Sequence, residues 1–181
     1  MYLVQLMQSR FASIIPTAAS AVALAAGLAL AGSPARADIL ASSWNVNPQI
    51  TGGGTINLDL DSTVGGQQDL RFNLPAPDQV AISFDAECAV DGVGFLRYAN
   101  IDILVDPAPP GGGYVPLQPS TGPDDAFCSA NGTPPMDGKV NPSRTVVTHL
   151  PAGINTVRVT LQTVGGGGVS QIDDLAIDVE N

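Results

Sequence analysis

Two carboxylates on one predicted strand have a spacing that fits a known chemistry. In the stretch QVAISFDAECAV, residues 79–90, Asp85 and Glu87 lie two positions apart. They therefore project from the same side of an extended chain, with Cα atoms about 7 Å apart. Glycosidases separate their two carboxyl groups by about 5–5.5 Å or about 6.5–9.5 Å, so the distance alone is compatible with sugar hydrolysis. Neighbours on one strand project in parallel from an open surface, however, whereas catalytic acids flank a substrate in a cleft that raises one pKa. We therefore expect a solvated polar face and no catalysis by this pair.

Paired aspartates offer a second chemistry, because Ca²⁺ takes about six to eight oxygen ligands from such groups. The stretch DLDSTVGGQQDL does not match the helix-loop-helix calcium pattern, since Val64 stands at its sixth position and Leu70 at its twelfth. Asp173 shares the parity of Leu175, so we expect it to point inward at the rim of a sheet and to be hydrated there. The pairs at predicted strand ends or loops are Asp59 with Asp61, Asp124 with Asp125, and Asp173 with Asp174. No cofactor is expected, and a structural calcium ion is kept as the alternative.

The amino terminus predicts export. Arg10 precedes an apolar run of small residues at 18–31, and SPARAD places alanines for cleavage before Asp38. A run of about 14 residues is shorter than the roughly 20 that a membrane-spanning helix needs. We predict a signal peptide at residues 1–37, one domain at residues 38–181, and a secreted or periplasmic location. The residue after the cut is not cysteine, so neither a lipid anchor nor membrane insertion after cleavage is expected.

The two cysteines, Cys88 and Cys128, are best explained as a disulfide. An isolated pair in an oxidising compartment is usually bonded. A catalytic thiol lacks a partner, because His149 is the only histidine, and no GxSxG motif exposes a serine nucleophile. Closing a loop of about 40 residues would stabilise the fold by roughly 4 kcal/mol through the lost entropy of the unfolded chain. We therefore predict a disulfide and no enzyme.

Charge excludes several classes of partner. The chain has 17 acidic and 7 basic residues, and cleavage removes Arg10 and Arg36, which leaves 17 against 5 and a net charge of −12. Nucleic acid and anionic lipid are bound by neutralising phosphate with Lys and Arg, so neither is an expected partner. The partner we expect is an extracellular glycan or protein, and the oligomeric state stays open.

Short alternating segments predict an all-β fold. Each candidate strand alternates apolar with polar residues and is bounded by Gly, Pro or Asn. The segments are ILASSW, TINLDLD, LRFNL, residues 79–90, FLRYANIDILVD, NTVRVTLQT and residues 175–179. We expect hairpins through DGVG at 91–94 and through GGGG at 165–168, and we expect Trp44 to pack in the core with Leu40. Eight to ten strands of this kind predict a single antiparallel β-sandwich or jelly roll.

One stretch, residues 106–143, interrupts the alternation and is named the proline-rich excursion. It holds nine of the fifteen prolines. Loops of this length are usually either functional or disordered, and a bond from Cys128 to Cys88 would tether this one. Tethering for stability alone is the alternative to a binding role. We predict that residues 107–142 form the contact region, with these ligand-binding side chains: Tyr114, Asp124 and Asp125.

The closing segment LPAGINTVRVTL followed by IDDLAIDV resembles the last strands of secreted carbohydrate-binding modules with a galactose-binding-like sandwich. It resembles less closely the jelly rolls of complement and tumour necrosis factor proteins. The core segment ISFDAECAVDGVGFLRYANIDILVD with DAFC is similar to uncharacterised secreted bacterial proteins, which implies a fold and a disulfide but no activity. Sugar binding, if carried over, requires an exposed aromatic side chain, for which Tyr114 is the candidate. We expect an exported, non-enzymatic binding or display protein. The alternatives are a carbohydrate-binding module, a calcium-dependent hydrolase and a structural oligomer.

Overall fold

The computed structural model describes residues 37–63, 65–91, 97–109, 111–117, 126–129 and 139–181, and Ala37–Asn181 form one compact unit. The predicted signal peptide, except for Ala37, lies outside the described residues. Within the described ranges, no helix is long and apolar enough to cross a membrane. The strands are β1 (Ile39–Asn45), β2 (Gln49–Thr51), β3 (Thr55–Asn57), β4 (Leu70–Leu74), β5 (Asp78–Val90), β6 (Tyr98–Asp106), β7 (Val115–Pro116), β8 (Cys128–Ser129), β9 (Ser143–Leu150), β10 (Gly153–Val164) and β11 (Ser170–Glu180).

Two antiparallel sheets pack face to face. In sheet A, β1 and β2 lie along one side of β11, and β5 and then β9 follow on its other side. In sheet B, β3 and β4 lie along one side of β10, β6 follows, and β7 and β8 pair with β6. The described strands thus occupy four positions in each sheet, and most connections pass from one sheet to the other. This order is that of a jelly roll, so the predicted fold class is confirmed.

The core lies between the sheets, where the inward residues of both sheets meet. Val80, Ile82 and Phe84 of β5 are fully buried and alternate with residues that are at least partly exposed. The proline-rich excursion contributes to this core, because Phe127 packs on Phe84 with ring centroids 5.5 Å apart. It also supplies β7 and β8, although its composition predicts a loop.

The predicted disulfide joins the two sheets. Cys88 on β5 of sheet A is bonded to Cys128 on β8 of sheet B, with Cα atoms 6.2 Å apart. Both side chains are buried. The bond therefore ties the proline-rich excursion to a central strand, and the predicted pairing is confirmed.

Both predicted hairpins are wrong. Strand β5 pairs with β9 and β11, while β6 pairs with β10, so the connection that includes DGVG joins different sheets. The glycines at 165–168 likewise connect β10 of sheet B to β11 of sheet A, and Gly165 and Gly167 have φ values of 93° and 77°. Alternation indicates which side of a strand is buried, but it does not indicate which strand lies beside it.

Two β-bulges reverse orientations that the alternation predicted. In β11, Asp173 pairs with Glu87 of β5, and Ala176 pairs with Asp85. Between these two pairs β11 has two residues where β5 has one, so β11 contains one extra residue. Asp174, within this bulge, has a φ of 44°. Asp173 therefore points away from sheet B, and the expectation that it points inward with Leu175 is wrong, since a bulge restarts the alternation.

The second bulge lies in β1, between Ile39 and Ala41. Leu40 is the extra residue and packs against the core. The alternation restarts after it, so Trp44 faces outward and is 67% exposed. The expectation that Trp44 packs in the core with Leu40 is therefore wrong.

Candidate functional site

An exposed tryptophan stands on the outer face of sheet A, the side turned away from sheet B. Trp44 lies on the edge strand β1 opposite Ala176 of β11. Large aromatic side chains are usually well buried, and 67% exposure leaves most of this indole in contact with solvent. Four of the eight large hydrophobic side chains that are exposed among the described residues lie in this edge segment: Ile39, Trp44, Val46 and Ile50. Exposed apolar side chains of this kind are candidates for contact with a ligand or partner.

Trp44 borders a groove of about 290 Å³. This volume is near the lower end of the range for small-molecule sites, roughly 300–1,000 Å³, and suits one small ring rather than a large ligand. The groove combines one indole, one carboxylate and four hydroxyl groups. Its lining residues are Ser42, Ser43, Trp44, Asp61, Ser62 and Thr63.

One wall of the groove is formed by residues 58–63, and this segment is held in place by core packing and hydrogen bonds. Leu58 and Leu60 are buried in the core. The Ser43 hydroxyl donates a hydrogen bond of 2.7 Å to the carbonyl oxygen of Leu60, and the Leu60 N–H donates to the carbonyl oxygen of Gln67 over 2.7 Å. These contacts hold the wall before any ligand arrives.

Two amide side chains connect the same wall to strands β1 and β2. The Asn45 side chain, which is buried, donates to the carbonyl oxygen of Asp59 over 2.8 Å. Gln49 donates to the same oxygen over 2.8 Å and accepts from the Asp59 N–H over 2.6 Å. Gly66, at a φ of 41°, permits this arrangement, because a Cβ there would overlap the Asp59 side chain. The groove is therefore a fixed feature of the fold.

Asp61 supplies the negative charge of the groove. Its Oδ1 accepts hydrogen bonds from the Thr63 hydroxyl (2.7 Å), the Gln67 N–H (3.0 Å) and the Thr63 N–H (3.2 Å). These bonds, that of the Thr63 hydroxyl above all, lower the pKa of Asp61 below its ordinary value. Asp61 is therefore ionised at neutral pH, and no donor within the described ranges occupies its Oδ2.

Tyr114 lies elsewhere, before β7, and is partly buried. Its hydroxyl donates to Asp69 over 2.7 Å, and the guanidinium of Arg158 on β10 lies 4.1 Å from its ring centroid. Burial and the bond to Asp69 raise the pKa of Tyr114 to about 12. Its hydroxyl and one ring face are thus already engaged within the protein. Two further predicted ligand-binding residues, Asp124 and Asp125, lie outside the described residues.

Asp85 and Glu87 lie on the outer face of sheet A, where they border a second depression of about 270 Å³. Lys139 donates to Glu87 over 2.9 Å and to Asp173 over 2.8 Å. Hydrogen bonds from the ammonium group to Asp173 and then to Glu87 raise the pKa of Lys139 above its ordinary value. Glu87 is therefore held in an ion pair on an open surface, not opposed to Asp85 across a cleft.

The aspartate pairs considered for calcium are not brought together where they are described. No group of three or more His, Cys, Asp or Glu side chains in the described ranges is arranged to hold a metal ion. Asp61 instead caps the turn to Gln67, and Asp173 is bound by Lys139. A structural calcium ion stays an untested alternative.

Among the groove residues, sequence reasoning assigned Trp44 to the core and considered Asp61 only as a calcium ligand. One signal was present in the sequence. Trp44 has Ser42 and Ser43 before it and Asn45 after it, a polar setting that is unusual for a tryptophan in a core strand.

The sequence matches no protein-family model and no curated protein. Solved structures of similar fold include the VP2 subviral particle of infectious bursal disease virus, at 13% identity and a TM-score of 0.48, with 81% of this chain covered and 33% of that one. The chain thus spans about a third of that protein. A second similar structure is a xylan-binding domain from Paenibacillus barcinonensis, at 10% identity and a TM-score of 0.37, with 81% of this chain covered and 97% of that one. A third is a carbohydrate-binding module of Cellvibrio mixtus lichenase 5A in complex with cellotriose, at 12% identity and a TM-score of 0.30, with 80% of this chain covered and 98% of that one. Carbohydrate-binding modules and a viral capsid jelly roll are therefore among the similar structures, which fits the resemblance drawn from the sequence, and identities this low carry no conclusion about function.

Proposed function

We propose that this protein is an exported, non-catalytic domain that binds glycans, with Trp44 as the platform on which a sugar ring stacks. The observation that carries the proposal is the 67% exposure of Trp44 at the rim of a groove that also holds hydroxyl groups and a carboxylate. A pyranose ring has an apolar C–H face and a rim of hydroxyl groups. The indole matches the first and the groove lining matches the second.

The anchoring of residues 58–63 supports the same proposal. A site whose walls are already fixed loses little conformational entropy when a ligand binds, which favours affinity even for a small contact. The hydrogen bonds from Asn45 and Gln49 to Asp59, and from Ser43 to Leu60, provide such a fixed wall. The proposal therefore places the contact at β1 and residues 58–63 rather than at Tyr114.

The groove also argues for binding without hydrolysis. Glycosidases of the common type use two carboxyl groups, one on each side of the scissile bond. Among the described residues, Asp61 alone supplies a carboxylate to the groove, and hydrogen bonds lower its pKa, which is the opposite of what a general acid needs. The alternative of a calcium-dependent hydrolase has no comparable observation in its favour.

Retention of the protein, purified after export, on a panel of insoluble polysaccharides tests the proposal. We expect retention on at least one polysaccharide and its loss in Trp44→Ala, because removing an aromatic anchor costs about 2 kcal/mol or more, roughly thirtyfold in Kd. The matched control is Ile50→Ala, which removes an exposed apolar side chain from the same edge but outside the groove.

Both variants should melt within a few degrees of the unchanged protein, because both side chains are exposed. Failure of the unchanged protein to bind any polysaccharide, or full retention of Trp44→Ala, would refute the proposal.

A further inference from the structure

The groove beside Trp44 lies in an acidic environment. Asp61 belongs to its lining, and Asp178 of β11 stands opposite Ser42 in the register of β1 and β11. Asp85 of β5 follows Ala176 in the same row as Trp44. A ligand that contacts the indole therefore lies beside the carboxylate of Asp61 in the wall of the groove, and the carboxylates of Asp178 and Asp85 lie on the adjoining face of sheet A.

No basic residue balances this charge at the groove. All five basic residues of the predicted mature domain are described, and none belongs to the lining. Lys139 is held between Glu87 and Asp173, and Arg158 is bound to Asp69. Of the others, Arg71 lies on β4, Arg97 directly precedes β6, and Arg144 lies on β9 at the opposite edge of sheet A.

We infer that the glycan bound at Trp44 carries free amino groups, so that its ligand is an amino sugar whose ammonium group is paired with Asp61. This inference rests on the proposed function and names the class of sugar. A carboxylate stabilises a bound ammonium group through a charge-assisted hydrogen bond, and the face of an indole stabilises it through a cation–π interaction. Uronate or sulfate groups would instead be repelled by Asp61, Asp178 and Asp85.

A sugar accounts for the groove better than a basic peptide does. The lysine side chain of a peptide offers an ammonium group on a flexible chain, which uses Asp61 but donates nothing to the hydroxyl oxygens of the lining. Those oxygens can still accept hydrogen bonds, although the hydroxyl groups of Ser62 and Thr63 already donate within the protein. An amino sugar presents an ammonium group, an apolar ring face and hydroxyl groups within one small rigid ring. Its size also suits a groove of about 290 Å³.

Calorimetric titration with oligosaccharides of equal length tests the inference. The oligosaccharide probes are β-1,4-linked glucosamine, its N-acetylated counterpart, cello-oligosaccharide and galacturonate oligosaccharide, and oligolysine is the basic peptide, all at a pH that keeps the amines protonated. We expect the glucosamine oligomer to bind at least about tenfold more tightly than the N-acetylated one, since a hydrogen bond to a charged group contributes about 1.5–3 kcal/mol. Added salt should weaken this preference, because the Debye length is about 10 Å at 0.1 M.

Asp61→Asn should remove the preference for the amine while leaving the neutral oligosaccharides bound, because the amide oxygen can still accept the bonds from Thr63 and Gln67. Asp178→Asn is a second variant that touches no turn and should lower the preference less. Asp91→Asn, which makes the same charge change beyond the end of β5, is the matched control and should bind as the unchanged protein does.

The outcomes separate the inference from the proposed function. Equal affinity for the amine and N-acetyl oligomers, or tighter binding of galacturonate, overturns the inference and leaves glycan binding in place. Binding of oligolysine with no binding of any sugar overturns both, as does the absence of all binding. A preference for glucosamine that Asp61→Asn abolishes and Asp91→Asn preserves supports the inference.

Discussion

Breaking the disulfide tests how firmly the proline-rich excursion is held to the core. Cys88 and Cys128 are 40 residues apart, and on the loop-entropy relation a closed loop of that length removes about 13 cal/mol/K from the unfolded chain, or about 4 kcal/mol at 25 °C. A compact unit of about 145 residues unfolds with an entropy of about 0.3 kcal/mol/K near its midpoint. Reduction of the bond should therefore lower Tm by about 13 °C.

Circular dichroism melts of the oxidised and the reduced protein measure this difference. The Cys88→Ala/Cys128→Ala double variant should lie at or slightly below the reduced protein, because it also removes two buried sulfur atoms from the core. The comparison thus separates loss of the bond from loss of packing.

A fall in Tm of less than about 4 °C on full reduction would show that the bond does little to restrict the unfolded chain. The reasoning would equally fail if the double variant lost stability but the reduced protein did not. In that case packing of the sulfur atoms, rather than the closed loop, would be the source of the stability.

Two further predictions concern groups whose pKa values are raised. Lys139→Met should lower Tm at neutral pH, because it leaves Glu87 and Asp173 facing each other without a cation. The pKa of Lys139 is raised in the fold, so the stability that its ammonium group contributes is present below its ordinary pKa and is lost as the pH rises through the raised value. The Tm values of variant and parent should therefore converge in strong alkali. A difference in Tm that stays constant with pH would contradict the ion pair. Tyr114→Phe should lower the free energy of unfolding in urea by about 1 kcal/mol through the lost bond to Asp69, with glycan retention unchanged. The pKa of Tyr114 is raised from 10.0 to about 12, so an absorbance titration should show one tyrosine ionising late, and a pKa near 10 would argue against its burial.

The buried face of most strands could be predicted from the sequence because period-two alternation is a local property. In β5 the alternation from Val80 to Cys88 is uninterrupted, and the structure buries the side that it indicates. The bond between Cys88 and Cys128 was predictable because only two cysteines exist. These inferences needed no knowledge of neighbouring strands.

Strand neighbours and bulges could not be predicted, and both mattered for the site. A bulge depends on pairing with another strand, so nothing local to β1 shows that Leu40 is an extra residue, and the polar neighbours of Trp44 are a weak local sign that it turns outward. The same applies to Asp173, whose partners Glu87 and Lys139 are distant in sequence. The candidate site was missed because it depends on such long-range pairing.

The position of β11 between β1 and β5 also determines when sheet A can be completed during synthesis. Strand β11 follows the other described strands, yet among these strands β1 and β2 have no other partner in this sheet. A ribosome must therefore release residues 170–180 before the edge that carries Trp44 can be hydrogen-bonded, even though that edge is made more than a hundred residues earlier. Such a high contact order implies slow folding, and chaperones would meet the aromatic edge in an unpaired nascent chain.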